Sequence, residues 1–203
     1  IYYSNDGITW TIASGTPFLS TTGNNSIARA VAWNGLRWVA VGTNNTNTAT
    51  TATQSIYYSN DNGITWIATF NIYGGGIAAN QANYGGYSIA SNGVRMVTVG
   101  GNANTTNGMY YSNDFGLTWT ATTGDTIETV PTGYGRGVCW NGYKWLVTGA
   151  NTPSPARTML YSYDGIVWTA TNSSVFLGNP ASFGSTVAYN SVRPNQITFP
   201  KNI

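Results

Sequence analysis

The chain has 203 residues, of which 41% are hydrophobic, so it carries enough apolar material for one domain with a sizeable core. Only 7% of the residues are charged, against about 25% in an average soluble domain. The eight cations and six anions are scattered and offer no basic stripe for a row of phosphates, so we do not expect nucleic acid as a partner. No run of about 18 apolar residues is present, so we expect no membrane span.

Cysteine and histidine usage narrows the chemistry further. The chain has one cysteine, Cys139, and no histidine. An internal disulfide and the usual cysteine- or imidazole-based metal sites are therefore excluded, and we expect neither a metal nor a cofactor. The common Ser-His and Cys-His nucleophile pairs are excluded as well. Cys139 lies in an apolar run and is predicted to be an unreactive core residue.

Taken in chain order, the predicted elements are hairpins of two kinds that alternate. The first kind turns at an aspartate, as in the strands at residues 2–4 and 8–11 that flank Asp6. The second kind turns at Asn-Gly between two apolar runs, which predicts a type I′ turn with positive φ at both central residues. The aspartate turns lie at Asp6, Asp61, Asp114 and Asp164, and the Asn-Gly turns at Asn34, Asn92 and Asn141, with a degenerate copy at 188–193.

The two kinds of hairpin together form a repeat of four strands. The repeat recurs about every 50 residues, and no stretch shows the apolar period and caps of a helix. Four short antiparallel strands in a unit of this length are typical of a propeller blade. We therefore predict an all-β chain, a β-propeller of four-stranded antiparallel blades that forms a single domain over residues 1–203. Because the chain begins at Ile1 rather than at methionine, we expect it to be part of a longer protein.

The two ends of the chain are complementary halves of a repeat. The C-terminal pair, at about residues 186–189 and 196–199, has the pattern of the first two strands, and the N-terminal pair has that of the last two. Joining them would complete a fourth blade and a closed four-bladed ring. The alternative is an arc of a larger propeller with about six or more blades. The sequence leaves both arrangements open.

At residues 59–66 and 112–119 the chain matches the full pattern Ser-x-Asp-x-Gly-x-x-Trp and resembles the Asp-box, or bacterial neuraminidase repeat. The copies at Ser4 and Ser162 lack the residue between Asp and Gly, so their turns are predicted to be one residue tighter. Such repeats occur in sialidases, sortilin-type receptors, photosystem assembly factors and viral surface proteins, so the resemblance implies fold more than function. The matching residues are Ser4, Asp6, Gly7, Trp10, Ser59, Asp61, Gly63, Trp66, Ser112, Asp114, Gly116, Trp119, Ser162, Asp164, Gly165 and Trp168.

The repeated aspartates are predicted to be structural. An Asp carboxylate can accept backbone N–H bonds across its own turn, while Gly supplies the left-handed conformation. The Trp is then expected to pack between blades. The alternative is that the four carboxylates are calcium ligands or acid catalysts, but identical turns in separate places around a ring do not converge on one substrate.

Two sets of cations share a register with the repeat. The cations of one set follow the hairpin Asn of each repeat. They either form a ring of cations for an acidic glycan or, as we favour, place a charge beside each turn for solubility. The other set is Arg29 and Arg136, which precede the predicted innermost strands and are expected to line a central channel as possible ligand contacts. Their matching positions are Tyr87 and Ser185. The first set consists of Arg37, Arg95, Lys144 and Arg193.

The chain offers little for catalysis. A sialidase resemblance would imply an arginine triad, a Tyr nucleophile with a Glu partner, and an Asp acid. Outside the repeated turns the only carboxylates are Asp125 and Glu128, which lie close together in a Gly/Thr-rich loop and are predicted to be solvated loop charges. We therefore predict that the chain is not an enzyme. The alternative is a fragment of a sialidase-like glycoside hydrolase.

The expected function is a non-catalytic surface module for binding, attachment or assembly, with a glycan or a protein surface as its partner. Recognition is expected in the least repetitive loops, where Tyr73 and Tyr84 are the first candidate ligand contacts. The low charge and the Thr/Asn-rich composition favour an extracellular or virion-surface location. The glycosylation sequons lie at Asn24, Asn44, Asn104 and Asn172.

Overall fold

A computed structural model describes ten stretches of the chain. They are residues 1–15, 17–18, 26–43, 55–69, 72–73, 85–101, 108–127, 134–150, 158–171 and 187. Within them all regular structure is β-strand and there is no helix, which confirms the predicted all-β class. No helix in this part of the chain is long and apolar enough to cross a membrane.

The strands form three complete sheets and one short ribbon. The N-terminal ribbon pairs β1 (Tyr2–Tyr3) with β2 (Thr11–Ile12). Sheet I contains β3 (Ile27–Trp33), β4 (Trp38–Thr43), β5 (Ile56–Ser59) and β6 (Ile67–Ala68). Sheet II contains β7 (Gly85–Ser91), β8 (Met96–Gly101), β9 (Met109–Ser112) and β10 (Thr120–Ala121). Sheet III contains β11 (Thr123–Gly124), β12 (Tyr134–Trp140), β13 (Trp145–Ala150), β14 (Met159–Ser162) and β15 (Val167–Ala170).

Each of the three sheets is an antiparallel meander in the order predicted from the repeat. The first two strands pair around the Asn-Gly turn, with Trp33 opposite Trp38 in sheet I and Trp140 opposite Trp145 in sheet III. The third and fourth strands pair around the Ser-x-Asp turn. The C-terminal strand pair predicted at 186–189 and 196–199 lies outside the described residues, apart from residue 187.

The Asn-Gly turns differ from the predicted type I′. Only the glycine of each has positive φ, with Gly35 at 95° and Gly142 at 85°, whereas no Asn of these turns does. In sheet I the two loop residues are Gly35 and Leu36, because the Asn34 N–H donates to the Arg37 carbonyl. A glycine with positive φ at the first central position has the sign pattern of type II′. The Asn34 Oδ1 instead accepts the N–H groups of Leu36 and Arg37, at 3.0 and 2.9 Å.

The sheets pack face to face, and alternate side chains of each second strand enter different cores. In sheet I, Val39 and Val41 face sheet II and are fully buried with Ile89 and Met96. In sheet II, Val97 and Val99 belong to the next core, with Val138, Trp145 and Val147 of sheet III. The first strands β3, β7 and β12 lie side by side in that order. The fold is therefore a succession of stacked sheets with one core at each junction.

A large apolar residue from the chain before each sheet packs against a glycine of that sheet's second strand. Phe18 lies against Gly42, where a Cβ would be only 2.8 Å from Phe18 Cε1. Tyr73 occupies the equivalent place against Gly100 of sheet II, and Ile127 lies near the corresponding glycine of sheet III. All three side chains are buried. These wedges fix each sheet to the linker that precedes it.

Two linkers also extend the outer edge of the following sheet. Strand β11 pairs in parallel with β15, where the Thr123 N–H donates to the Ile166 carbonyl at 2.9 Å. Ser14 makes the equivalent parallel bridge to Thr65 of sheet I. The N-terminal ribbon and sheet I are thus joined as sheets II and III are.

Candidate functional site

The four Ser–Asp turns, at residues 4–7, 59–63, 112–116 and 162–165, share one hydrogen-bond pattern. The Ser Oγ donates to the Asp Oδ1 at 2.7–2.9 Å and accepts the N–H of the Gly at 2.8–2.9 Å. The Asp carboxylate then accepts N–H groups from the start of the next strand, as Asp164 does from Ile166 and Val167 at 2.8 and 2.9 Å. Each aspartate is therefore occupied within its own turn.

Two of these turns are one residue longer, as the motif predicts. In them the inserted residue has positive φ, at 58° for Asn62 and 61° for Phe115, immediately before a glycine that also has positive φ. The short turns at Ser4 and Ser162 contain only the glycine in that region. The left-handed backbone costs a non-glycine residue energy, so the long turns carry a strain that the short ones avoid.

The turn aspartates have lowered pKa values. The N–H groups of Thr9 and Ile8 hold the pKa of the Asp6 carboxyl well below its usual range. The backbone N–H of Thr65 does the same for Asp61. For Asp114, partial burial would raise the pKa, but hydrogen bonds from Thr118 and others outweigh it; Asp164 behaves in the same way. These groups are ionised at neutral pH and are poorly suited to donate a catalytic proton.

The tryptophan that ends each motif has a different environment in different copies. Trp66 and Trp168 are buried, at 4% and 1% exposure, as expected for a residue between sheets, whereas Trp10 is 60% exposed. In the long turns the indole N–H donates to the turn glycine, from Trp66 to the Gly63 carbonyl at 2.9 Å. The Trp168 Nε1 of a short turn is buried without a hydrogen-bond partner.

The cations that follow the Asn-Gly turns each lie over a tyrosine of the neighbouring strand. Arg37 is 5.4 Å from the Tyr58 ring centroid, and Arg95 is 5.4 Å from that of Tyr111. Lys144 stands in the same relation to Tyr161 at 5.3 Å. This repeated cation–π contact, with Arg95 also donating to the Asp164 carbonyl and to Asn113, supports a structural role for the set. Arg193 lies outside the described residues.

The predicted inner contacts Arg29 and Arg136 lie in one cluster with Tyr87. Each of the three occupies a β-bulge near the start of its sheet's first strand, where the register skips one residue. The Arg29 guanidinium is 4.2 Å from the Tyr87 ring centroid and that of Arg136 is 5.8 Å from it. A bulge changes the direction of a single side chain, and here the bulges bring one side chain from each of three sheets together. Ser185, the fourth position of this register, lies outside the described residues.

A second tyrosine completes the cluster. The Tyr134 ring stacks on Tyr87 with a centroid distance of 5.5 Å and an interplanar angle of 8°, and Arg136 donates to the Tyr134 hydroxyl at 2.8 Å. Partial burial raises the pKa of Tyr87, although Arg29 and Arg136 oppose the change. Tyr87 is therefore neutral, and the cluster offers guanidinium groups, which suit a planar anion such as a carboxylate.

Two other candidate residues, Asp125 and Cys139, have structural surroundings. Asp125 Oδ2 accepts the N–H of Ala170 at 2.8 Å, so it ties the linker to β15; its predicted neighbour Glu128 lies outside the described residues. Cys139 is buried, and burial raises the pKa of its thiol, so the thiolate is disfavoured. Within the described ranges, no three Asp, Glu, Cys or His side chains are grouped so that they could hold a metal ion.

The prediction that Tyr73 is a ligand contact is wrong. Its side chain is only 1% exposed, and its hydroxyl lies 3.0 Å from the Thr98 Oγ1. It is one of the three wedge residues, with Phe18 and Ile127, and its distance after the motif tryptophan could have revealed this. Tyr84 lies outside the described residues.

A cavity of about 450 Å³ opens between the N-terminal ribbon and sheet I. Tyr3 and Trp10 line it from the ribbon, and Val31 and Trp38 line it from the sheet. Arg29 also lines the cavity, so the cavity adjoins the arginine–tyrosine cluster.

Neither the models of known protein families nor the curated proteins show a match to this chain.

Proposed function

We propose that the chain is a non-catalytic recognition or assembly module built as a β-propeller. The observation that supports the proposal is that most of the carboxylates of the chain are engaged in structural hydrogen bonds. Four of the six acidic residues are bound within Ser–Asp turns and a fifth, Asp125, is bound to the backbone of β15. Glycoside hydrolysis by the usual route needs two free carboxyl groups on opposite sides of a sugar ring.

The propeller architecture is supported by the repeated junctions. Three meanders of the same order stack with their first strands side by side, and a wedge residue locks each to the linker before it. In this arrangement the bulge residues Arg29, Tyr87 and Arg136 face a central channel, and an anionic group of a glycan or protein is the ligand that fits them. The low charge favours an extracellular or virion surface for the module.

The test of the non-catalytic assignment is turnover by the isolated chain. We expect no release of fluorophore from a fluorogenic sialoside, or from the corresponding glucosides and galactosides, above a buffer blank. Turnover would overturn the proposal in favour of a sialidase-like glycosidase. Loss of that turnover in an Asp125→Asn variant would then identify the responsible carboxylate.

We also propose that residues 186–199 complete the N-terminal ribbon as a fourth sheet. Two end faces support this closure. Val31 of sheet I is 55% exposed although the equivalent Ile89 and Val138 are 7% and 5% exposed, and Leu146 at the far face of sheet III is only half-buried. Val187 has the register of Val31 in the sequence pattern. A fourth sheet between sheets III and I would cover both faces.

Thiol labelling of the full chain tests the closure. We expect a Val31→Cys thiol to react as slowly as an Ile89→Cys thiol, and a Val94→Cys thiol at an exposed hairpin to react fast. Adding Val187→Asp should accelerate the reaction of the Val31→Cys thiol. Equal, fast labelling at positions 31 and 94 would contradict closure and favour the arc.

A further inference from the structure

Sheet III departs from the repeat at two exposed positions. The residue after Asn-Gly is aliphatic in sheets I and II, as Leu36 and Val94, but it is Tyr143 in sheet III. The residue between the Ser and the Asp of the turn is Asn in the other three copies, but it is Tyr163 in sheet III. Both substitutions place a large aromatic ring at the same end of the same sheet.

The two rings form one exposed cluster. Tyr143 and Tyr163 are 65% and 57% exposed, and their centroids are 5.4 Å apart at an interplanar angle of 75°. Tyr163 also meets Tyr161 at 5.9 Å. The Lys144 Nζ lies 5.3–5.8 Å from the centroids of all three rings. A cationic donor and two accessible aromatic faces therefore stand together at the surface.

The fold does not account for these tyrosines. Asn141 Oδ1 accepts the N–H groups of Tyr143 and Lys144 as Asn34 and Asn92 accept those of their own turns. The Ser162–Asp164 bond is also the one that the turns with Asn make. The turns thus close equally well with Leu, Val or Asn at the two positions, and exposing two aromatic rings to water brings no burial.

We propose that Tyr143, Tyr163 and Lys144 form a carbohydrate-binding platform for a pyranose ring. The apolar C–H face of a sugar can stack on the electron-rich face of a tyrosine, while the tyrosine hydroxyls and the Lys144 ammonium donate to hydroxyl or carboxylate oxygens. A stable protein interface takes about 20–30 residues a side, whereas this cluster is the size of one or two sugar rings. The site is separate from the arginine–tyrosine cluster and extends the proposed function by naming a second ligand contact.

The test uses variants that restore the residues of the other sheets. The probes are immobilised lactose, chitotriose, sialyllactose and hyaluronan tetrasaccharide, and binding is measured at low and high salt. We expect the native chain to bind at least one probe. The Tyr143→Val/Tyr163→Asn variant should bind that probe at least about tenfold more weakly, with an unchanged melting temperature. Val94→Thr, at the exposed hairpin of sheet II, is the control and should bind like the native chain.

The salt dependence of binding distinguishes an acidic glycan from a neutral one. Binding of sialyllactose or hyaluronan that weakens with salt assigns an acidic glycan with Lys144 as its charge contact, and salt-independent binding of lactose or chitotriose assigns a neutral one. Equal binding by the native chain and the double variant would overturn the platform but leave a recognition module in place. Failure of the native chain to bind any probe would also overturn the platform, and the separate turnover assay would still decide the non-catalytic assignment.

Discussion

The junction between sheets II and III and the region where the N-terminal ribbon meets the outer face of sheet I present the same sequence pattern in two different environments. Val138 and Trp168 at the junction are 5% and 1% exposed, whereas their counterparts Val31 and Trp10 are 55% and 60% exposed. The hydrogen bonds of the Ser–Asp turn are nevertheless the same in both regions. Turn geometry is therefore a local property of the motif, while burial depends on the next sheet.

The largest effect on stability is expected from a substitution at Val138, the buried member of this comparison. Val138→Asp would place an unpaired carboxylate in the core between sheets II and III and should lower the free energy of unfolding by about 4 kcal/mol or more. Val94→Asp, at a 74% exposed position, should change it by less than about 0.5 kcal/mol. Urea denaturation followed by tryptophan fluorescence measures both. Equal midpoints for the two variants would show that this junction is not a core.

A tyrosine pair contrasts a wedge with a surface residue. Tyr73→Ala removes a buried ring packed against Gly100 and should cost about 3–5 kcal/mol. Tyr143→Ala, at the exposed hairpin of sheet III, should have no measurable effect on the urea midpoint. A mild effect of Tyr73→Ala would mean that the wedge contributes little to holding sheet II.

A smaller effect is expected from a single turn. Asp114→Ala leaves the N–H groups of Leu117 and Thr118 without their carboxylate acceptor, and because the site is partly solvated the loss should be about 1 kcal/mol. Thermal unfolding by circular dichroism provides the measurement, with Val94→Thr, at an exposed position of sheet II, as the control. If the melting temperature of Asp114→Ala equals that of the native chain, the turn bonds do not stabilise the fold.

The smallest effect is expected from pH, because the stability of the fold should change little over the neutral range. All four turn aspartates have folded-state pKa values below the usual value, so the stability they contribute is present above the unfolded pKa of about 3.9. That stability is lost as pH falls through the folded pKa. Urea midpoints should therefore be flat from pH 7 to about pH 5 and decline below about pH 4, less steeply for Asp114→Asn. A midpoint that rises on acidification would contradict the assignment.

The predictable part of the candidate site was the part made by near neighbours in sequence. The Ser–Asp turns, their tighter copies and the two kinds of hairpin followed from the repeat because each is closed by bonds over two to four residues. The type of the Asn-Gly turn was predicted wrongly because the Asn side chain, outside the two-residue loop, takes the backbone N–H groups. Composition and spacing do not reveal that choice.

The sequence by itself determined that the chain is all-β, where its hairpins turn and that Asp6, Asp61, Asp114 and Asp164 are bound in turns. Only the tertiary structure decided which copies are buried, that Tyr73 is a wedge, and that bulges in three strands gather Arg29, Tyr87 and Arg136. The reason is physical. Turn bonds span a few residues and are encoded locally, whereas burial and side-chain convergence depend on surfaces that meet only when separate sheets pack.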